Sequence, residues 1–275
     1  MTMSTLGWLC QTLHADAPDL PSDTPLGPIS IDTRTIKPGD TFWVLQSTRD
    51  GHDFVPEAFK KGAKAAIVNS LWKNAAQTRR FHDQLIGLSD TMQGLTDAAQ
   101  AWRTQCGFDV LGITGSNGKT STKDIILRLL SRNVRTAGTQ GNLNNQFGVP
   151  LTLLGLPSDL EVAVIEMGAS HEGEIAELCE ICRPTHGLVT SISSAHLEGF
   201  HNIETVARTK GELYDFIAAE GVAFVPTEDE RCRKEAALCM NKIGYGFSVP
   251  PADWSTVYCQ GSDVMFDETG CAHFT

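Results

Sequence analysis

The 275 residues carry 22 Lys and Arg against 33 Asp and Glu, with 41% hydrophobic and 20% charged residues, the make-up of a globular protein with chain enough for about two domains at roughly 150 residues each. A formal charge of −11 excludes an extended nucleic-acid surface, which needs clustered Lys and Arg, and leaves local nucleotide sites open. Lacking a long apolar run and a basic-then-apolar leader, the sequence predicts a cytoplasmic protein that does not enter a membrane and keeps its cysteines reduced.

Short apolar runs at Pro28 to Ile31, Thr41 to Leu45 and Ala65 to Val68, with turn signals at Pro38-Gly39 and Asp50-Gly51, predict a small N-terminal α/β domain over residues 1–84. The polar stretch LWKNAAQTRRFHDQ is expected to be a surface helix or connector, and a helix from about Thr91 to Arg103 to open a second domain, residues 85–275. From Phe108 onward, FDVLGIT, VAVIEM, GLVTSIS and GVAFVP each precede a segment with helical spacing. This β-then-α alternation predicts a mostly parallel sheet with helices on both faces, and ligands gather at the carboxyl ends of such strands.

FDVLGIT runs into GSNGKTS, and KDIILRLL then places Ile126, Leu129 and Leu130 on one helical face. In a strand, glycine loop and helix of this kind, the backbone of Gly115, Ser116, Asn117, Gly118 and Ser121 and the helix dipole hold phosphate oxygens. Lys119 adds a mobile charge and Thr120 offers a hydroxyl to Mg²⁺. The first glycine departs from the strict GxxxxGK[ST] spacing, since Ile113 occupies its position. The flanking strand and helix therefore carry the nucleotide-binding reading against that of a glycine-rich turn. VAVI ends in Glu166, either a Mg²⁺ ligand or a turn cap. GLVTSIS brings Ser193, Ser194 and His196 to the same edge, with His196 a ligand or a structural residue. Lys210 lies within the helical stripe of Val206, Leu213, Tyr214 and Ile217. It is either a boundary lysine reaching solvent or a desolvated amine able to take up CO₂ as a carbamate. Cys179 and Cys182 form a lone CxxC, read as helix-packing thiols rather than a zinc site.

These residues resemble the ATP-dependent Mur ligases of bacterial cell-wall synthesis. GITGSNGKTS is similar to their phosphate loop, displaced glycine included, and GNLNNQFGVPLTLL, VIEMGASHEGEI and SSAHLEGFHNIETVARTKGEL are similar to blocks of the branch that adds D-alanyl-D-alanine. SIDTRTIKPGDTFWVL and DGHDFVPEAFKKGAKAAIV resemble its UDP-sugar-binding domain. The resemblance implies an ADP-forming ligase that joins D-Ala-D-Ala to UDP-N-acetylmuramoyl-tripeptide through an acyl phosphate, working as a monomer. It implies that Lys119 and Thr120 meet ATP and Mg²⁺, that Glu166 ligates a first magnesium and His196 a second, and that Lys210 is carbamylated. Asn142, Asn144 and Asn145 would border the γ-phosphate and acceptor, and Thr33 and Arg34 the nucleotide sugar. QSTRDGHDF departs from the family loop, so no role passes to Arg49 or His52. The family continues into an adenine-contacting segment and a third domain beyond CAHFT, so the resemblance implies a truncated, inactive chain. A sister ligase such as a folylpolyglutamate synthetase, and a non-catalytic nucleotide-binding module, stay open.

Overall fold

The computed structural model describes residues 5–46, 49–193, 200, 202–247, 258–262, 265–266 and 272–273. The chain divides into two compact units, Met1–Phe108 with Pro150–Leu160, and Asp109–Val149 with Glu161–Thr275.

In the first unit, α1 (Leu6–Leu13) begins where the Thr5 hydroxyl accepts the Trp8 N–H. Strands β1 (Ile29–Ser30), β2 (Thr41–Trp43), β3 (Ala65–Asn69) and β4 (Leu85–Leu88) form a sheet in that order, every pair parallel. Parallel neighbours need crossovers. Here α2 (Val55–Lys60) links β2 to β3, and α3 (Ser70–Lys73) with a 3₁₀ segment (Ala76–Gln84) links β3 to β4. The boundary expected near residue 84 precedes β4, whose four residues are all buried and pair with β3. Helix α4 (Thr91–Cys106), expected to open the second domain, belongs to this first unit. It is capped by the Asp90 carboxylate and ends at Gly107 in the left-handed region. Its Trp102 meets Trp8 of α1 edge-on at 5.8 Å. The polar linker also differs from a surface connector at Lys73, which is 1% exposed. Its ammonium pairs with the Asp16 carboxylate at 2.9 Å and donates to the carbonyls of Asp16 and Ala17, partners enough for all three of its hydrogens.

The second unit is built on seven strands in the order β11-β10-β9-β8-β5-β7-β6, parallel throughout. They are β5 (Asp109–Thr114), β6 (Thr136–Gly138), β7 (Val162–Glu166), β8 (His186–Val189), β9 (Val222–Pro226), β10 (Asn241–Gly246) and β11 (Tyr258–Gln260). The connecting helices are α5 (Lys119–Leu130), α6 (Gly148–Gly155, its end in the first unit), α7 (Glu174–Cys182), α8 (Ile203–Ile217) and α9 (Glu230–Glu235). An antiparallel pair, β12 (Met265–Phe266) and β13 (Ala272–His273), follows. The chain passes from β5 to the edge strand β6, returns to β7, and only then crosses to β8 on the far side of β5. This places a topological switch point at the carboxyl ends of β7, β5 and β8. One expectation for α5 is corrected: Ile126, Leu127 and Leu130 pack towards β5 and β7, whereas Leu129 is 55% exposed. The residue of α5 that is buried is a lysine, Lys123. Among the described residues no helix is long and apolar enough to cross a membrane.

Candidate active site at the carboxyl edge of the second sheet

The loop leaving β5 owes its shape to two glycines. Gly115 has φ +140°, and a Cβ there would lie 2.1 Å from the Thr190 hydroxyl. Gly118, at φ +81°, starts α5 without a side-chain cap, which leaves the positive end of the helix to an external anion. The loop is tied to the segment after β8. Ser116 Oγ donates to the Ser193 carbonyl and accepts its N–H, the Asn117 side-chain amide donates to Ser193 Oγ at 2.9 Å, and Thr190 Oγ1 donates to the Asn117 carbonyl at 2.6 Å. Gly115→Ala combines a strained φ with a clash against this latch. It is expected to cost about 2 kcal/mol or more in urea unfolding and to abolish ATP binding, while a wild-type midpoint would contradict the role given to Gly115.

Two oxygen donors meet above this loop. Thr120 Oγ1, in the first turn of α5, donates to Glu166 Oε2 at 2.9 Å, and Glu166 is the last residue of β7, 2% exposed. Its other oxygen accepts from the Asn144 amide at 2.9 Å, and its backbone N–H donates to Thr139 Oγ1 at 2.9 Å. Among the described residues this buried carboxylate is hydrogen-bonded by neutral groups and makes no ion pair. Lys119 turns its ammonium onto the Gly115 carbonyl at 2.7 Å. Burial lowers its pKa, and the Glu166 charge opposes that shift.

A cavity of ≈ 340 Å³ lies beside these groups, lined among others by Gly115, Lys119, Asn144, Glu174, Phe200 and Lys210. Lys210 is 3% exposed, its ammonium 3.3 Å from the Ala169 carbonyl and 5.3 Å from the centre of the Phe200 ring. Burial, with Lys119 as a like charge, brings its pKa down to about 8 against the pull of Glu174 and Glu212. Two residues along α8, Glu212 accepts the Gly173 and Ala176 N–H groups at the start of α7, clamping the two helices together.

Of the other sequence candidates, Asn145 lines the cavity and spends its side-chain oxygen on the Phe147 and Gly148 N–H groups. Asn142 is exposed and accepts the Asn144 N–H through its carbonyl, and Ser121 is exposed on α5. His196 and Ser194 lie outside the described residues. Thr33 and Arg34 stand in the first unit. Thr33 is buried, and its carbonyl accepts from the Lys61 ammonium at 2.9 Å. The exposed Arg34 guanidinium grips Asp32 and holds that carboxyl below its ordinary range. His52 is 2% exposed, with Nε2 accepting the Asn69 N–H, so its Nδ1 carries the proton and donates to Asp50. Cys179 and Cys182 are buried in α7, and desolvation drives the Cys179 thiol well above its ordinary pKa. The sequence reading passed over Lys123, Thr139, Phe200, Glu174 and Glu212. Lys123 alone had a local signal, one turn after Lys119 on the same helix face.

A family model described as the Mur ligase middle domain matches residues 113–271. UDP-N-acetylmuramoyl-tripeptide–D-alanyl-D-alanine ligases of Bacillus subtilis and Escherichia coli are 36% and 37% identical to the chain, over 79% and 83% of it and 47% and 49% of their own lengths. Among solved structures, MurF from Acinetobacter baumannii superposes with a TM-score of 0.79 at 29% identity, over 99% of this chain and 59% of that one. MurF ligase from Thermotoga maritima in complex with ADP gives 0.72 at 30%, over 90% and 55%. The chain spans about half the length of the curated relatives it matches.

Proposed function

Because the chain belongs to the Mur ligase family, we propose that its second unit binds ATP and Mg²⁺ for the making of an amide bond in peptidoglycan-precursor synthesis. The bond would join D-Ala-D-Ala to UDP-N-acetylmuramoyl-tripeptide, the substrates named in its relatives. The observation that carries this reading is the meeting of the Thr120 hydroxyl and the buried Glu166 carboxylate at 2.9 Å, beside a cavity lined by Lys119 and Lys210.

A hydroxyl and a carboxylate brought together without an ion pair form a hard-oxygen donor set that suits a divalent cation. Thr120 and Glu166 would hold one Mg²⁺, and His196 with a carbamylated Lys210 a second. Bound there, the cations would offset the repulsion between an anionic phosphoryl group and an anionic acceptor. The loop amides, the start of α5 and Lys119 would hold the phosphates. The terminal carboxylate oxygen of the tripeptide then takes the γ-phosphoryl group and ADP leaves, after which the D-Ala-D-Ala amine attacks the acyl carbon and phosphate leaves. Asn144 orients Glu166 and, with Asn142 and Asn145, borders the acceptor. Thr33 and Arg34 of the first unit would take the nucleotide-sugar end.

Calorimetry with ATP and Mg²⁺, followed by hydroxylamine trapping in the presence of UDP-N-acetylmuramoyl-tripeptide, tests the proposal. Binding and an acyl hydroxamate are expected; failure to bind nucleotide would sink the reading. Binding with neither hydroxamate nor phosphate release would favour a nucleotide-binding module without catalysis. Turnover with L-glutamate in place of D-Ala-D-Ala would point to a sister ligase. Glu166→Gln keeps the shape and removes the charge. It is expected to weaken Mg²⁺-dependent ATP binding by about 10-fold or more and to leave metal-free binding nearly unchanged, both measurable by the same calorimetry.

A further inference from the structure

We infer that Lys123 is a positioning residue for the cation site, its ammonium fixing Thr139 and, through Thr139, the carboxylate of Glu166. The inference rests on the proposal that Thr120 and Glu166 hold a divalent cation.

Lys123 stands one helical turn beyond Lys119 and Thr120 on the same face of α5, yet it does not reach the cavity. Its side chain is buried, 3% exposed. The ammonium donates to the Thr139 carbonyl at 2.8 Å and pairs with the exposed carboxylate of Asp124 at 2.9 Å. Thr139, fully buried, is the residue at which β6 gives way to the loop carrying Asn144. Its N–H donates to the Val164 carbonyl at 3.1 Å, and its hydroxyl accepts the Glu166 N–H at 2.9 Å. Asn144 returns from that loop to Glu166 Oε1 at 2.9 Å, and its own carbonyl accepts the Gly168 N–H at 2.7 Å. Both the backbone and the carboxylate of Glu166 are thus held by a segment whose first residue is pinned by Lys123. A buried ammonium is costly, and an apolar chain of the same length would fill the space without that cost. Packing alone therefore does not call for a charge at this position. A charge does serve to fix a carbonyl, and the carbonyl fixed here belongs to the residue that receives the Glu166 N–H.

The test uses the whole chain, Mn²⁺ as the metal probe and ADP as the nucleotide. Free Mn²⁺ is followed by electron paramagnetic resonance at saturating ADP, and ADP affinity is measured separately in EDTA. Lys123→Met is expected to weaken Mn²⁺ binding about 10–100-fold, the range for outer-shell partners of metal ligands, with metal-free ADP affinity within about twofold of wild type. Lys123→Arg is expected to recover part of the loss. Thr139→Val leaves the carbonyl for Lys123 but removes the acceptor for Glu166, and is expected to weaken Mn²⁺ in the same direction. Wild-type Mn²⁺ affinity in Lys123→Met, or an equal loss of metal-free ADP binding, overturns the inference. If Lys123→Met does not fold, Lys123→Arg and Thr139→Val decide, and unchanged Mn²⁺ affinity in Thr139→Val overturns it. A wild-type chain that takes ADP but no Mn²⁺ overturns the cation reading itself, an outcome distinct from variants that match a binding-competent wild type.

Discussion

Lys119→Ala is expected to weaken Mg·ATP binding about 10–100-fold, the value of a hydrogen bond to a charged group, and to lower phosphoryl transfer by a further 10²–10³-fold, roughly that of a preorganised electrostatic donor. The two losses arise at different points. The ammonium donates to the Gly115 carbonyl at 2.7 Å, so the loop holds the cation beside the place its backbone offers to phosphate. Burial works against the charge and the nearby Glu166 carboxylate works for it. A bound phosphate would add to the second influence, so the ammonium is held more firmly as negative charge builds on the transferring group. Alanine removes both the ground-state contact and that increment. Arginine is not expected to substitute, because its planar fork is longer and cannot fold back onto the Gly115 carbonyl as a compact ammonium does. Calorimetry with Mg·ATP gives the first loss and hydroxamate formation the second. Wild-type affinity in a folded Lys119→Ala chain would remove Lys119 from the phosphate site.

The features legible in the sequence are those with a short period or a local chain order. The run into Gly115, Lys119 and Thr120 and the apolar run ending at Glu166 each lie within a few residues, and β5, α5 and β7 appear where those patterns place them. The stripe of Val206, Leu213, Tyr214 and Ile217 predicts α8, but it leaves Lys210 either at the boundary or desolvated, and the structure buries it. Features that depend on partners far along the chain were not legible. Strand β4 is four residues, LIGL, too short to show a period, and its identity comes from pairing with β3. Strand β4 lies within the first compact unit, Met1–Phe108 with Pro150–Leu160. The helical spacing of KDIILRLL predicts Leu129 on the packed face of α5, yet Leu129 is exposed; Lys123 is buried instead, held by a carbonyl 16 residues away. Likewise, nothing near Glu166 in sequence announces that Asn144 and Thr139 hold it.

Lys210 links the stability of the fold to its proposed chemistry, with effects of opposite sign. Its pKa falls to about 8, first because burial strips water from the ammonium and second because Lys119 is a like charge. The unfolded chain keeps the ordinary lysine value, so the folded state binds the proton less tightly. The resulting cost to stability is fully present below pH 8 and is relieved as pH rises from about 8 towards 10.5. The gap between those values corresponds to about 3 kcal/mol. In the absence of bicarbonate, Lys210→Met is therefore expected to be more stable than wild type at pH 7 by up to about 3 kcal/mol, an advantage that shrinks between pH 8 and 10 in urea unfolding. The same lowered pKa leaves about one amine in ten neutral at pH 7, against about one in 3,000 for an ordinary lysine. Only the neutral nitrogen can add to CO₂, forming the N–C bond and releasing a proton to give the carbamate. In ¹³C-bicarbonate a carbamate resonance is expected to grow through pH 8 and to be missing from Lys210→Met. Lys210→Ala is expected to lose turnover, and a small added carboxylate to restore part of it. A resonance that appears only above pH 10, or a Lys210→Met chain no more stable than wild type at pH 7, would show that burial does not set the charge of this lysine.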